Sequence, residues 1–172
     1  MTHGFRRTKV FLFVLIYIHS YFVVNSALQV STRDSQESIA DALESFRLTN
    51  FVSLLRKSQL LELFQGIGDQ FTVLAPTNGA LPKPCRGLLE TNITSLENLL
   101  LYQVIDSGGF TIGNLVSNIQ PATSANFTTL EGSRLPIHLL SNGSLLIGYN
   151  NVSIIHPNII AFSSVVQITN GL

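Results

Sequence analysis

Phe71-Thr72-Val73-Leu74-Ala75-Pro76-Thr77-Asn78-Gly79-Ala80-Leu81 is the stretch on which the reading of the fold turns. Phe71 to Ala75 is a short apolar run with turn residues after it, the pattern of a buried strand. Pro76 has no amide hydrogen to offer a ladder and ends the strand. Thr77 or Asn78 then presents a side-chain oxygen able to cap the next element, while Phe71, Val73 and Leu81 act as apolar anchors.

Upstream of this strand the apolar spacing is helical. Ile39, Leu43 and Phe46 recur at intervals of four and three, which predicts one buried helical face with Ser35 as its cap. A second helix carries Phe51, Leu54 and Leu55 on one side, with Thr49 or Asn50 satisfying its first amides. Leu60, Leu61, Leu63 and Phe64 continue helically until Gly66 and Gly68. Downstream, Thr94-Ser95-Leu96-Glu97 reads as a capping box that opens a helix through Leu99, Leu100 and Gln103 towards Val104-Ile105. Asp106 to Gly109 is a turn. From there the period changes: Phe127 to Leu130, Leu135 to Leu140, Leu145 to Tyr149, Val152 to Ile155 and Val165 to Ile168 are short strands parted by Gly, Asn and Pro. Helices followed by a meander of strands predict an α+β domain, with N-terminal helices packed on a wedge of short, mostly antiparallel strands.

Three ordered motifs resemble those of the fasciclin family. FTVLAPTNGAL at Phe71–Leu81 resembles its first signature, a strand running into Ala-Pro-Thr-Asn. Leu99-Leu-Leu-Tyr-Gln-Val-Ile105 is similar to its central Leu-rich Tyr-His segment, and Pro157 to Gly171 is similar to its last signature. The resemblance covers residues 36–172. It departs at Gln103, where the family often has histidine, at Asn158 and Asn170 for aspartate, at Gln167 for histidine, and at Ser163-Ser164 for Asn-Gly. Each exchange keeps hydrogen-bonding capacity while removing a charge or a titrating group. The resemblance implies a non-catalytic module of cell adhesion or matrix contact. Its partner would be an extracellular matrix or cell-surface protein or glycan, in some cases an integrin-type receptor. By position, it puts the adhesive segments on Tyr102-Gln103 and on Asn158-Ile159.

The residues themselves give catalysis no support. Beyond residue 26 only His138 and His156 remain, one within an apolar stretch and one before Pro157, and with a single cysteine they make no metal set. No nucleophile-elbow pattern occurs, and Gly66-Ile67-Gly68 and Gly108-Gly109 lack the context of a phosphate loop. No cofactor is implied. Two further readings stay open: a carrier of a small apolar ligand such as a lipid or pigment, suggested by apolar strands and low charge, and a structural wall or coat glycoprotein.

The N-terminus points to export. Arg6, Arg7 and Lys9 precede the apolar run Val10–Ile18, extended by Tyr21–Val24, and small residues at Val24-Asn25-Ser26-Ala27 suit cleavage after Ser26. Residues 1–26 are read as a secretory signal and 27–35 as an extended lead-in; the alternative is an uncleaved signal anchor with the domain outside. A stable span is not expected, since the run is short and broken by His19-Ser20. Three of the ten basic residues and none of the ten acidic ones lie before residue 27, so the remainder holds seven bases against ten acids. That mildly acidic surface, with no basic cluster, disfavours nucleic acid as a partner. Four sequons follow, at Asn92, Asn126, Asn142 and Asn151, as expected of a secreted glycoprotein. Cys85 stands alone in Pro82-Lys83-Pro84-Cys85-Arg86, either buried and inert or available for an intermolecular disulfide.

Overall fold

In the computed structural model, residues 37–65, 70–81 and 92–172 are described. Glu37 to Leu172 forms one compact unit. Four α-helices are defined among the described residues: α1 (Ile39–Ser45), α2 (Thr49–Lys57), α3 (Ile93–Tyr102) and α4 (Ile112–Ile119), with a 3₁₀ turn at Leu61–Phe64. Seven strands accompany them: β1 (Phe71–Pro76), β2 (Val104–Asp106), β3 (Ser124–Thr128), β4 (Arg134–Leu139), β5 (Leu145–Ile147), β6 (Val152–Ala161) and β7 (Ser164–Thr169). The α+β class expected from the sequence is what is seen. None of these helices is long and apolar enough to cross a membrane.

The strands run in the order β2-β1-β7-β6-β5-β4-β3. All neighbours are antiparallel except β1 and β7, which lie parallel with Leu74 opposite Gln167. The ends of the order meet, because Ile105 bridges Thr129 and the Leu130 amide donates to the Val104 carbonyl (2.8 Å). Long β6 serves both halves of the sheet, and the sheet folds over on itself there.

Alternation along the strands sorts side chains into two cores. Val73, Ala75, Val104, Val166 and Ile168 face the helices and pack against Leu43, Phe51, Leu55, Phe64, Leu96 and Leu100. Leu74 and Ile105 point the other way, into a second core with Phe127, Leu135, Ile137, Leu145 and Ile147, which α4 completes with Leu115 and Ile119.

The caps differ from those expected. Ser35 lies outside the described residues; α1 is capped by Ser38, whose hydroxyl accepts from the Asp41 amide (3.1 Å) while Asp41 Oδ2 accepts from the Ser38 amide (3.2 Å). Helix α2 takes nothing from Thr49 or Asn50 as caps. Its N-cap position is Leu48, which has no suitable side chain, and Asn78 reaches across from the turn after β1 so that its Oδ1 accepts from the Asn50 amide (2.9 Å). Asn78 Nδ2 also donates to the Arg47 carbonyl (2.9 Å). Asn78 therefore caps the helix before the strand; the chain after Leu81 lies outside the described residues until Asn92. Helix α3 starts earlier than the Thr94–Glu97 box, because Asn92 Oδ1 already accepts from the Ser95 amide (3.1 Å). Helix α4 was not expected at all.

Candidate functional site

Strand β6 carries Asn158 and Ile159 and does not run evenly along β7. Its register slips between Ile154 and His156 and again between His156 and Ile159. Pro157 and Asn158 occupy the second irregularity; Pro157 has no amide to lend a ladder, and Asn158 sits at φ 62°, a region that asparagine enters more readily than most residues. Both residues are exposed, Ile159 is half-buried against the helical core, and Ile160 is 57% exposed.

The bulge is held from below by Gln167, which is fully buried on the inter-sheet face of β7. The Asn158 amide donates to Gln167 Oε1 (2.9 Å), and Gln167 Nε2 donates to the Phe110 carbonyl (2.9 Å) and to Asn158 Oδ1 (3.3 Å). Asn158 Oδ1 also accepts from the Ile112 amide (2.8 Å), an N–H left without a partner in the first turn of α4. Thr111 and Asn114 close a reciprocal capping box beside it. On β1, Thr72 Oγ1 accepts from the Phe110 amide (2.7 Å) and donates to the Gly108 carbonyl (2.6 Å). The connection from Gly108 to Ile112 is thus bonded to β1, β7 and β6. Gly109 fits there because it lacks a side chain: a Cβ would overlap the Ser163 carbonyl.

Tyr102 and Gln103 close helix α3. The Gln103 amide donates to the Leu100 carbonyl (3.1 Å), and its carbonyl accepts from the Leu74 amide (2.8 Å), which ties the helix end to β1. Gln103 is only 6% exposed, and Tyr102 is half-buried. Both line a cavity of about 210 Å³. The Tyr102 hydroxyl is pushed above its ordinary pKa, first by burial and then by the neighbouring Tyr149 and Glu131 charges. The two expected segments do not form one patch. Strands β1 and β7 lie between them, and Leu74 and Gln167, each bonded to one segment, stand opposite each other in the register.

The four sequon asparagines are all exposed. Asn92 caps α3, Asn126 lies on β3, Asn142 accepts from the Ser144 amide (3.0 Å) in the β4–β5 turn, and Asn151 turns the chain into β6 at φ 53°. His138 is half-buried in β4 opposite Leu146, and the exposed His156 ring lies 6.3 Å from that of Phe46. Among the described residues no group of three or more His, Cys, Asp or Glu side chains could hold a metal ion. Cys85 and residues 1–35 lie outside the described residues.

Sequence reasoning missed Thr72, the close approach at Gly109, and α4. The signal for α4 was there to read. Thr111 and Asn114 stand at capping-box spacing, and Ile112, Leu115, Val116 and Ile119 follow at three- and four-residue intervals.

Comparison with known proteins agrees with this architecture. The family profile described as Fasciclin domain matches residues 46–171. Mouse and human Stabilin-1 are each 25% identical over 144 residues, covering 81% of this chain but 5% of their own length. This chain therefore spans about a twentieth of the curated relatives it matches. A solved FAS1 domain pair from the insect cell adhesion molecule Fasciclin I superposes with a TM-score of 0.66 at 15% identity, over 80% of this chain and 50% of that one.

Proposed function

The chain belongs to the fasciclin domain family, and on that footing we propose that it is an extracellular adhesion or matrix-contact module, acting by binding rather than catalysis. The observation that carries this reading is the family match itself, which spans residues 46–171. The positively charged and apolar N-terminus and the four exposed sequons support export and glycosylation, with residues 1–26 as the signal. We take the partner to be a matrix or cell-surface protein or glycan.

The contact surface in this proposal is centred on the Pro157–Ile160 bulge. Pro157, Asn158 and Ile160 are exposed, and the backbone beneath them is fixed by Gln167 and the α4 N-terminus, so little ordering remains to be done on binding. Asn158 brings no carboxylate, so a contact bridged by a divalent cation, as an integrin-type receptor would use, draws less from this residue than from an aspartate. Tyr102 and Gln103 form the weaker candidate, because Gln103 is buried.

The test is adhesion of cells, and of matrix components, to the immobilised glycosylated chain. Asn158→Ala together with Ile160→Ser is expected to reduce adhesion while the melting curve stays cooperative. If the unaltered chain binds neither cells nor matrix, the adhesion reading fails and a structural glycoprotein is favoured.

A further inference from the structure

The inter-sheet core is filled unevenly. Leu115 and Ile119 of α4 occupy one part of it, whereas the cavity of about 210 Å³ is walled by Leu74, Leu135, Ile147 and Val152 of the same core, with Tyr102 and Tyr149 beside them. A cavity of roughly 150 Å³ with aliphatic walls takes up benzene, so this one has room for one ring or a fused pair. It is too small for a long lipid. Among the described residues no charged side chain lines it, which favours a neutral guest over an ion.

Its polar side chains are those of Gln103, Thr169, Asn150 and the two tyrosines. Thr169 Oγ1 donates to the Gly171 carbonyl (2.8 Å) and Asn150 Nδ2 donates to the Leu172 carbonyl (3.3 Å), so both are already engaged. Tyr102 adds a hydroxyl on the wall, and its half-buried ring, with the 82% exposed Tyr149 beside it, favours edge or offset contact with an aromatic guest over an aliphatic one. We propose that this cavity is a binding site for a small, neutral aromatic molecule with a single hydrogen-bonding group, of the phenol or indole class. The Tyr102 hydroxyl is protonated at neutral pH, as any tyrosine is, and can donate to the oxygen of a phenol or accept from the N–H of an indole.

The chain contains no tryptophan, so the emission of added indole reports its own binding to the full-length glycosylated protein. Saturable binding of indole and phenol with a Kd below about 1 mM is expected. Val152→Phe, which fills the cavity, should weaken both at least about tenfold, and Tyr102→Phe should weaken phenol about threefold to tenfold while leaving benzene unchanged. Intermolecular NOEs from indole ring protons to the methyl groups of Leu135, Ile147 and Val152 locate the site without any variant, and so decide the matter should Val152→Phe fail to fold. Failure to saturate below about 10 mM overturns the proposal, as does unweakened binding to a folded Val152→Phe chain or NOEs to other methyl groups only. Equal loss of phenol and benzene on Tyr102→Phe overturns the assigned ligand class. Binding is read with no cell or matrix present, so the outcome is independent of adhesion.

Discussion

Strands β1 and β7 are buried along their whole length, yet their two faces are built from different chemistry. Towards the helices they present Phe71, Val73, Ala75, Val166 and Ile168, with Ser164 at the start of β7 the one polar residue on that face. On the other face stand Thr72, Leu74, Pro76, Val165, Gln167 and Thr169, all buried, so that three of six are polar, and those three are each at most 1% exposed. An apolar side chain needs only volume to be satisfied, whereas a buried hydroxyl or amide needs a partner in the right place. Thr72 and Gln167 find theirs in the Gly108–Ile112 connection and the Asn158 bulge; Thr169 finds its own in the Gly171 carbonyl. One face stabilises by burial; the other spends its hydrogen bonds on placing loops.

Ile168 and Gln167 are neighbours in sequence and test the two faces directly. Ile168→Ala opens a cavity in the helical core and should cost about 2–5 kcal/mol, read as a lower urea midpoint at constant slope, with hydrogen-exchange protection falling throughout the domain. Gln167→Leu conserves volume but strips partners from the Asn158 amide and the Phe110 carbonyl, for a smaller loss of about 2 kcal/mol. Its exchange signature should be local, concentrated at Asn158 and Ile112. A uniform loss in both variants would mean that the polar face has no positioning role.

The same contrast explains what could be read in advance. Most apolar anchors on the helical face were visible as a spacing: Ile39 and Leu43, Phe51, Leu54 and Leu55, Phe64, and the alternation of Phe71 and Val73; Phe46, expected on the same buried face, instead stands 45% exposed at the C-cap of α1. The fold class and the family motifs rest on those positions. Thr72 gave no such signal, because a threonine within an apolar run is as compatible with solvent as with a buried double hydrogen bond. Asn158 and Gln167 were legible only as departures that conserve hydrogen bonding, and that they bond each other needed the register of β6 on β7. Gly109 looked like half of a turn dipeptide; its need for a close backbone approach to Ser163 depends on chain more than fifty residues away. The cavity is a property of what two sheets leave unfilled, and no local pattern encodes it.

Asn78 sharpens the point on a smaller scale. Its position in Ala-Pro-Thr-Asn suggested a local cap, but the amide it satisfies belongs to α2, 28 residues earlier. Asn78→Ala should cost about 1 kcal/mol, the usual loss for a helix cap. Because the bond is long-range, the loss should fall on α2 protection and spare the turn after β1. A frayed Thr77–Ala80 turn with intact α2 would reverse that assignment.

The smallest expected effect concerns Tyr102, at the edge of the polar face. Burial favours its neutral form, so its pKa in the folded chain lies above the ordinary 10.0. Below that value both states hold the proton, and the shift leaves stability untouched. As pH rises past it, the unfolded chain releases its proton first and is favoured, until the folded hydroxyl ionises as well. Tyr102 therefore contributes a loss of stability that begins near pH 10 and grows through the folded pKa. Tyr102→Phe should leave the urea midpoint at neutral pH nearly unchanged and make the alkaline decline shallower. An alkaline decline identical in both proteins would mean that the hydroxyl is solvated in the folded chain, and the wall it contributes to the cavity would then have to be redrawn.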